Sequence, residues 1–77
     1  MIALSTLPKN SRGIIKLVNI TSYSKQELES IGLTAGTKIK VKHIIDNYIT
    51  IETHFEDKKE RTNIAVSEAF KILVLPI

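Results

Sequence analysis

Residues 24–41 read S-K-Q-E-L-E-S-I-G-L-T-A-G-T-K-I-K-V and contain the start and stop signals of a short helix followed by a strand. Ser24 and Glu27 stand three residues apart and form a capping box, in which each side chain satisfies a free backbone N–H of the first helical turn. Gly32 stands where a left-handed residue closes a helix without steric cost. The sequence therefore predicts a helix that starts at Ser24, its cap, and stops at Ile31.

The same segment indicates how this helix packs. Leu28 and Ile31 are three residues apart and share a helix face, which we expect to point inward. Tyr23 and Leu28 occupy the positions of a hydrophobic staple, and Leu33 can fold back on Leu28 as in a Schellman ending. Gly36 supplies a second permissive backbone position, and an alternating apolar pattern follows it. A turn therefore connects the helix to a strand.

The run L-E-S-I-G-L-T-A-G-T-K-I-K-V resembles the signature Leu-x-x-Leu-Gly-Leu-x-x-Gly-x-x-Ile-x-Val of the FeoA family, which are bacterial accessory domains of ferrous iron transport. The residues that match the core of the motif are Leu28, Gly32, Leu33 and Gly36. The resemblance extends over nearly the whole chain, because the opening segment (Leu4, Leu7, Gly13) and the ending A-F-K-I-L-V are also similar to the family pattern. The sequence departs from that pattern in three places: Asn10 replaces a glycine, Ile31 a leucine and Ala35 a proline.

The resemblance implies an SH3-like barrel and a non-enzymatic protein without a cofactor. It also implies a partner, the cytoplasmic side of the FeoB-type transmembrane ferrous iron transporter.

Composition limits the possible chemistry. The chain has 77 residues and no cysteine, which excludes disulfides, thiolate metal sites, iron–sulfur clusters and cysteine nucleophiles. Its opening residues lack a basic lead and a long apolar run, so we expect neither a signal peptide nor a membrane span. We therefore expect one domain over residues 1–77, located in the cytoplasm; the resemblance adds, as an alternative, peripheral attachment at the inner membrane through the partner.

The net charge of +3 is unevenly distributed along the chain. Residues 1–42 contain seven Lys and Arg against two acids, whereas residues 43–77 contain four against six. A basic half could contact phosphates or an anionic membrane surface. A solvated face is the more common outcome, and it is the interpretation that we favour at this level.

The apolar runs and alternation in the rest of the chain predict a mainly β domain. Leu4 to Leu7 can form a helical turn before Pro8, and apolar runs or alternation predict about five short strands. The polar run from Glu56 to Arg61 reads as a solvated loop tip. A sheet this short buries its face best by curling on itself, so we expect a small barrel of about five strands with one short α-helix and a short helical turn.

The hairpin formed by residues 38–55 poses a register problem. If Ile45 paired with Tyr48 across a two-residue turn, the apolar side of the first strand would face the polar side of the second. We therefore predict an irregular loop or bulge near Asp46, which places Ile45 on the buried face and Lys42 opposite Glu52.

Few residues suggest a chemical site. No nucleophile, base and orienter set and no glycine-rich nucleotide motif is recognisable. Glu52 and His54 share a strand face and are weak candidates for metal ligands, but a metal site needs three or four ligands. A solvated pair is the more common outcome for such residues. His43 is expected to lie partly buried on the Ile39 and Val41 side.

Three functional classes remain open. The first, implied by the resemblance, is a regulatory partner of the transporter. It would dock through an apolar patch at Leu33, Leu73 and Leu75, unless the N-terminal Leu4 and Leu7 cover that patch. The second is a small-barrel nucleic-acid module, although the four aromatic residues are not clustered in the sequence. The third is a stand-alone regulatory domain related to the SH3-like domain of metal-dependent repressors, although no helix-turn-helix pattern accompanies it.

Overall fold

The computed structural model describes all 77 residues and contains one six-stranded antiparallel sheet with two short helices. The strands are β1 Ile2–Ala3, β2 Arg12–Val18, β3 Lys38–Ile45, β4 Tyr48–Phe55, β5 Lys58–Ala65 and β6 Ile72–Pro76. The helices are α1 Lys25–Ser30 and α2 Val66–Ala69, and Leu4–Thr6 form a 3-10 turn. The strand order is β1-β6-β2-β3-β4-β5.

The sheet bends around one apolar core without closing completely. Leu4, which follows β1 at one edge of the sheet, and Ile64, in β5 at the other edge, belong to the same cluster of 14 buried residues. Helix α2 contacts both β5 and the Leu4–Thr6 turn and so lies between the two edges. The predicted mainly β, SH3-like barrel is confirmed, with β1 as a strand that the sequence did not reveal.

Helix α1 has the predicted ends. The Ser24 side chain accepts a hydrogen bond from the Glu27 backbone N–H at 3.1 Å, and the Glu27 carboxylate accepts one from the Ser24 N–H at 3.2 Å. At the other end, the Leu33 N–H donates to the Leu28 carbonyl at 2.9 Å, across Gly32 with φ +79°. This pair of features is a capping box followed by a Schellman ending.

The Asn10 departure from the family pattern keeps the backbone geometry that a glycine would allow. Asn10 has φ 71°, in the left-handed region that asparagine tolerates better than most residues. Its N–H donates to the Val41 carbonyl at 2.8 Å, which ties the loop before β2 to β3.

The predicted register of the β3–β4 hairpin is wrong in its details. Ile45 does pair with Tyr48 across a two-residue turn, and the irregularity lies at Lys42 instead of the turn. This bulge changes which residues face inward, so that Ile44, and not Ile45, pairs with Ile49. The strand partner of Glu52 is consequently Lys40, not Lys42.

The predicted loop tip from Glu56 to Arg61 is also wrong. Strand β4 ends at Phe55 and β5 begins at Lys58, so only two residues form the turn. Glu56 and Asp57 have φ 49° and 62°, as a type I′ hairpin turn requires. The charged composition of this run reflects the position of β5 at the edge of the sheet, where charged side chains are common.

Candidate functional site

The two weak metal candidates lie side by side on the outer face of β4. The Nε2 atom of His54 lies 3.0 Å from Oε1 of Glu52, and Nε of Arg61 lies 4.0 Å from the other carboxylate oxygen. The hydrogen bond from His54 lowers the pKa of Glu52, burial opposes it, and the charges of Lys42, His54 and Lys59 lower the pKa further. The carboxylate is thus stabilised as an anion, first by the hydrogen bond with His54 and then by the nearby lysines.

These two residues do not assemble a larger ligand set. No group of three or more His, Asp or Glu side chains is placed to share one metal ion. His43 is exposed, and its prediction as a partly buried residue beside Ile39 and Val41 is wrong. The bulge at Lys42 turns His43 to the outer face, where it pairs with Thr50.

The apolar docking residues suggested by the sequence separate into two groups. Leu33 retains only 1% of its surface and belongs to the core, but it also lines a groove between β2 and α1, so its role in docking stays a prediction. Its backbone folds back on α1 in the Schellman ending, which directs its side chain into the interior. Ile72 and Val74 are fully buried, whereas Leu73 is half-buried and Leu75 is 40% exposed. The predicted alternation of β6 is therefore confirmed.

Leu73 and Leu75 continue onto β2 as one outward-facing strip. Leu17 pairs with Leu73, and Ile14 pairs with Leu75. A bulge between Ile15 and Leu17 turns Leu17 outward, where 52% of its surface is exposed. We call this set the apolar strip; it comprises Ile14, Leu17, Leu73 and Leu75. Leu17 was missed because a run of consecutive apolar residues does not show which side chain a bulge will expose.

The N-terminal leucines do not cover the apolar strip. Leu4 and Leu7 retain 0% and 4% of their surface and pack in the core cluster with Ile72 and Val74. They therefore lie on the inner side of the sheet, opposite to the strip. Leu17 also lines a groove of about 420 Å³ between β2 and α1, whose walls include Tyr23 and Leu28.

Comparisons with known proteins agree on one family. The family model described as the FeoA domain matches residues 2–76. The chain is similar to a crystal structure of an iron uptake regulatory protein (FeoA), with 25% identity, a TM-score of 0.79, and coverage of 99% of this chain and 97% of that chain. It is also similar to the solution NMR structure of the FeoA protein from Chlorobium tepidum, with 20% identity, a TM-score of 0.78, and coverage of 99% and 70%, a likeness of fold alone. No curated protein matches the sequence. None of the helices has the length and apolar character needed to cross a bilayer.

Proposed function

Because the chain belongs to the FeoA domain family, which is associated with ferrous iron uptake, we propose that it is a non-enzymatic accessory protein that binds the cytoplasmic side of a FeoB-type transporter. In this role the protein catalyses no chemical step of its own. Its role is to be recognised, and the recognition surface must lie outside the core.

The apolar strip is the observation that supports this proposal. Its members on β2 and β6 are adjacent through strand pairing, and Leu17 and Leu75 are 52% and 40% exposed. Burying such a surface against a partner is favourable because it removes apolar area from water. Contiguous exposed apolar patches on small domains commonly mark protein interaction sites. The neighbouring groove extends the same surface toward α1.

The test begins with the cellular function. Deletion of the gene is expected to lower ferrous iron uptake through the cognate transporter, and expression of the wild-type chain is expected to restore it. Normal uptake in the deletion strain would refute the proposed role.

The docking surface is tested separately with single variants. Leu75→Glu and Leu73→Glu are expected to fail in restoring uptake and in co-purifying the transporter, whereas Leu75→Met should succeed because it keeps an apolar side chain. Melting temperature identifies any variant that has simply unfolded. Full restoration by folded Leu75→Glu and Leu73→Glu would place the docking surface elsewhere on the domain.

A further inference from the structure

Strand pairing gathers cationic side chains from distant parts of the chain onto the outer face of β3, β4 and β5. Lys38 pairs with His54, which pairs with Lys59, and these residues form one row across the sheet. The next row contains Lys40, Glu52 and Arg61, and Arg12 of β2 pairs with Lys40 at its end. Lys42 stands in the adjoining bulge, and its charge acts on Glu52. We call these cations the basic face: Arg12, Lys38, Lys40, Lys42, Lys59 and Arg61.

The basic face holds more charge than the whole protein. It contains six cations and one carboxylate, a net charge of +5, whereas the whole chain carries +3. The rest of the surface holds five cations against seven carboxylates. Only Glu52 forms ion pairs, with His54 and Arg61. The other cations of the basic face therefore remain available to an external anion.

An apolar tip lies at the end of the same β3–β4 hairpin. Ile45 and Tyr48 pair directly before the turn on the outer side of the sheet, and they are 63% and 57% exposed. Ile44 and Phe70 are 46% and 62% exposed, and Phe70 lines a shallow pocket together with Tyr48. We call these four residues the apolar tip. At the ordinary rise of a strand, Tyr48 and His54 lie roughly 20 Å apart along β4.

The chemistry of this surface selects among anionic partners. Lysine is depleted at protein–protein interfaces, whereas four of the six cations here are lysines. Proteins that bind single-stranded nucleic acid stack bases on aromatic side chains, but the rows of the basic face contain no Phe, Tyr or Trp. A duplex would leave the apolar tip in water. An anionic bilayer offers phosphates to the lysines and an apolar boundary to isoleucine and tyrosine side chains.

We propose that the basic face and the apolar tip bind the surface of anionic phospholipid bilayers. The cations contact lipid phosphates, and Ile45 and Tyr48 enter the boundary between headgroups and acyl chains. This contact is peripheral and uses strands β3 to β5 together with Arg12 of β2. The apolar strip borders it on the same side of the sheet, because Ile14 pairs with Lys38.

The experiment measures co-sedimentation of the purified chain with phosphatidylcholine vesicles that contain either no or roughly one third phosphatidylglycerol. We expect binding only to the anionic vesicles, and we expect it to weaken as salt rises from about 0.05 M to about 0.5 M, because salt screens surface charge. Neutralising Lys38, Lys40 and Lys59 to Gln is expected to weaken binding on the order of 150-fold. The double variant Ile45→Ser with Tyr48→Ser should weaken the binding that persists at high salt, because the apolar contact remains there after the charges are screened.

A matched variant separates the surface from net charge. Neutralising Lys16, Lys25 and Lys71 to Gln removes the same charge from exposed positions outside the basic face and should leave most of the binding intact. Equal loss in both triple variants, or no binding to anionic vesicles at low salt, would overturn the proposal. Tighter binding to a short DNA duplex than to the vesicles would assign the face to nucleic acid and overturn it as well. Thermal melting of each variant confirms that the fold is intact.

Discussion

The substitution Gly32→Val tests the feature that ends α1 and turns the chain into the core. Gly32 has φ +79°, and a Cβ atom placed there would lie 3.3 Å from both the Cβ of Phe55 and the Oγ1 of Thr53. The Thr53 hydroxyl donates to the Ile31 carbonyl at 3.2 Å, so crowding at this point also disturbs that hydrogen bond. The valine therefore meets an unfavourable backbone conformation and a tight neighbour.

The expected loss of stability follows from these contributions. A left-handed conformation costs a non-glycine residue about 1–2 kcal/mol, and the cost for a β-branched side chain is near the upper value of this range. Loss of one hydrogen bond adds about 1 kcal/mol. Valine also makes the unfolded chain less flexible than glycine does, which offsets about 0.4–1 kcal/mol of this loss of stability. We expect a net loss of about 2 kcal/mol, which lowers the melting temperature by roughly 8–16 °C in a domain of this size.

Thermal unfolding followed by circular dichroism measures this loss, with Gly36→Val as the matched control. Gly36 has φ +94° with no atom within 4 Å of its Cβ position, so the control experiences the backbone cost without the crowding. Gly36→Val is therefore expected to be destabilised less than Gly32→Val. An unchanged melting temperature for Gly32→Val would refute the Schellman interpretation, and an equal loss in both variants would refute the contribution of crowding.

Three further predictions concern β4 and the turn that follows it. Replacing Glu56 by Asn and Asp57 by Gly should stabilise the domain by about 1 kcal/mol, because a type I′ turn favours Asn-Gly; a lower urea midpoint would contradict this. The lowered pKa of Glu52 contributes stability that is present above its ordinary value of 4.5 and is lost as pH falls through the lower folded value. Glu52→Gln should therefore flatten melting temperature against pH in the acidic range, and an identical profile to wild type would show that the carboxylate has no such role. The isolated domain should hold neither ferrous iron nor zinc in a stoichiometric site of its own; calorimetry showing one-to-one micromolar binding that His54→Ala abolishes would prove this wrong.

Local signals in the sequence determined the elements and their ends. The capping box at Ser24 and Glu27 and the stop at Gly32 depend on groups within a few residues, so they are readable without a structure. The alternation of β6 likewise predicted that Ile72 and Val74 face inward and that Leu75 faces outward. The weak metal pair also shares a face as predicted, because residues two apart on a strand point the same way.

Tertiary structure alone decided which residues of β2 and β3 lie on the inner face of the sheet and which lie on the outer face. Each strand contains one extra residue, Lys16 in β2 and Lys42 in β3, and an extra residue reverses the alternation beyond it. These bulges expose Leu17 and His43, and no local pattern marks their positions.

The gathering of charge has the same origin. The basic face unites Lys38 and Lys40 from the basic half of the chain with Lys59 and Arg61 from the acidic half. Charge counted along the sequence averages over both faces of every strand, so it cannot reveal this surface. Antiparallel pairing places Lys38 and Lys59, which are 21 residues apart in the sequence, in one row across β4, and hydrogen-bond register between strands determines which charges become neighbours.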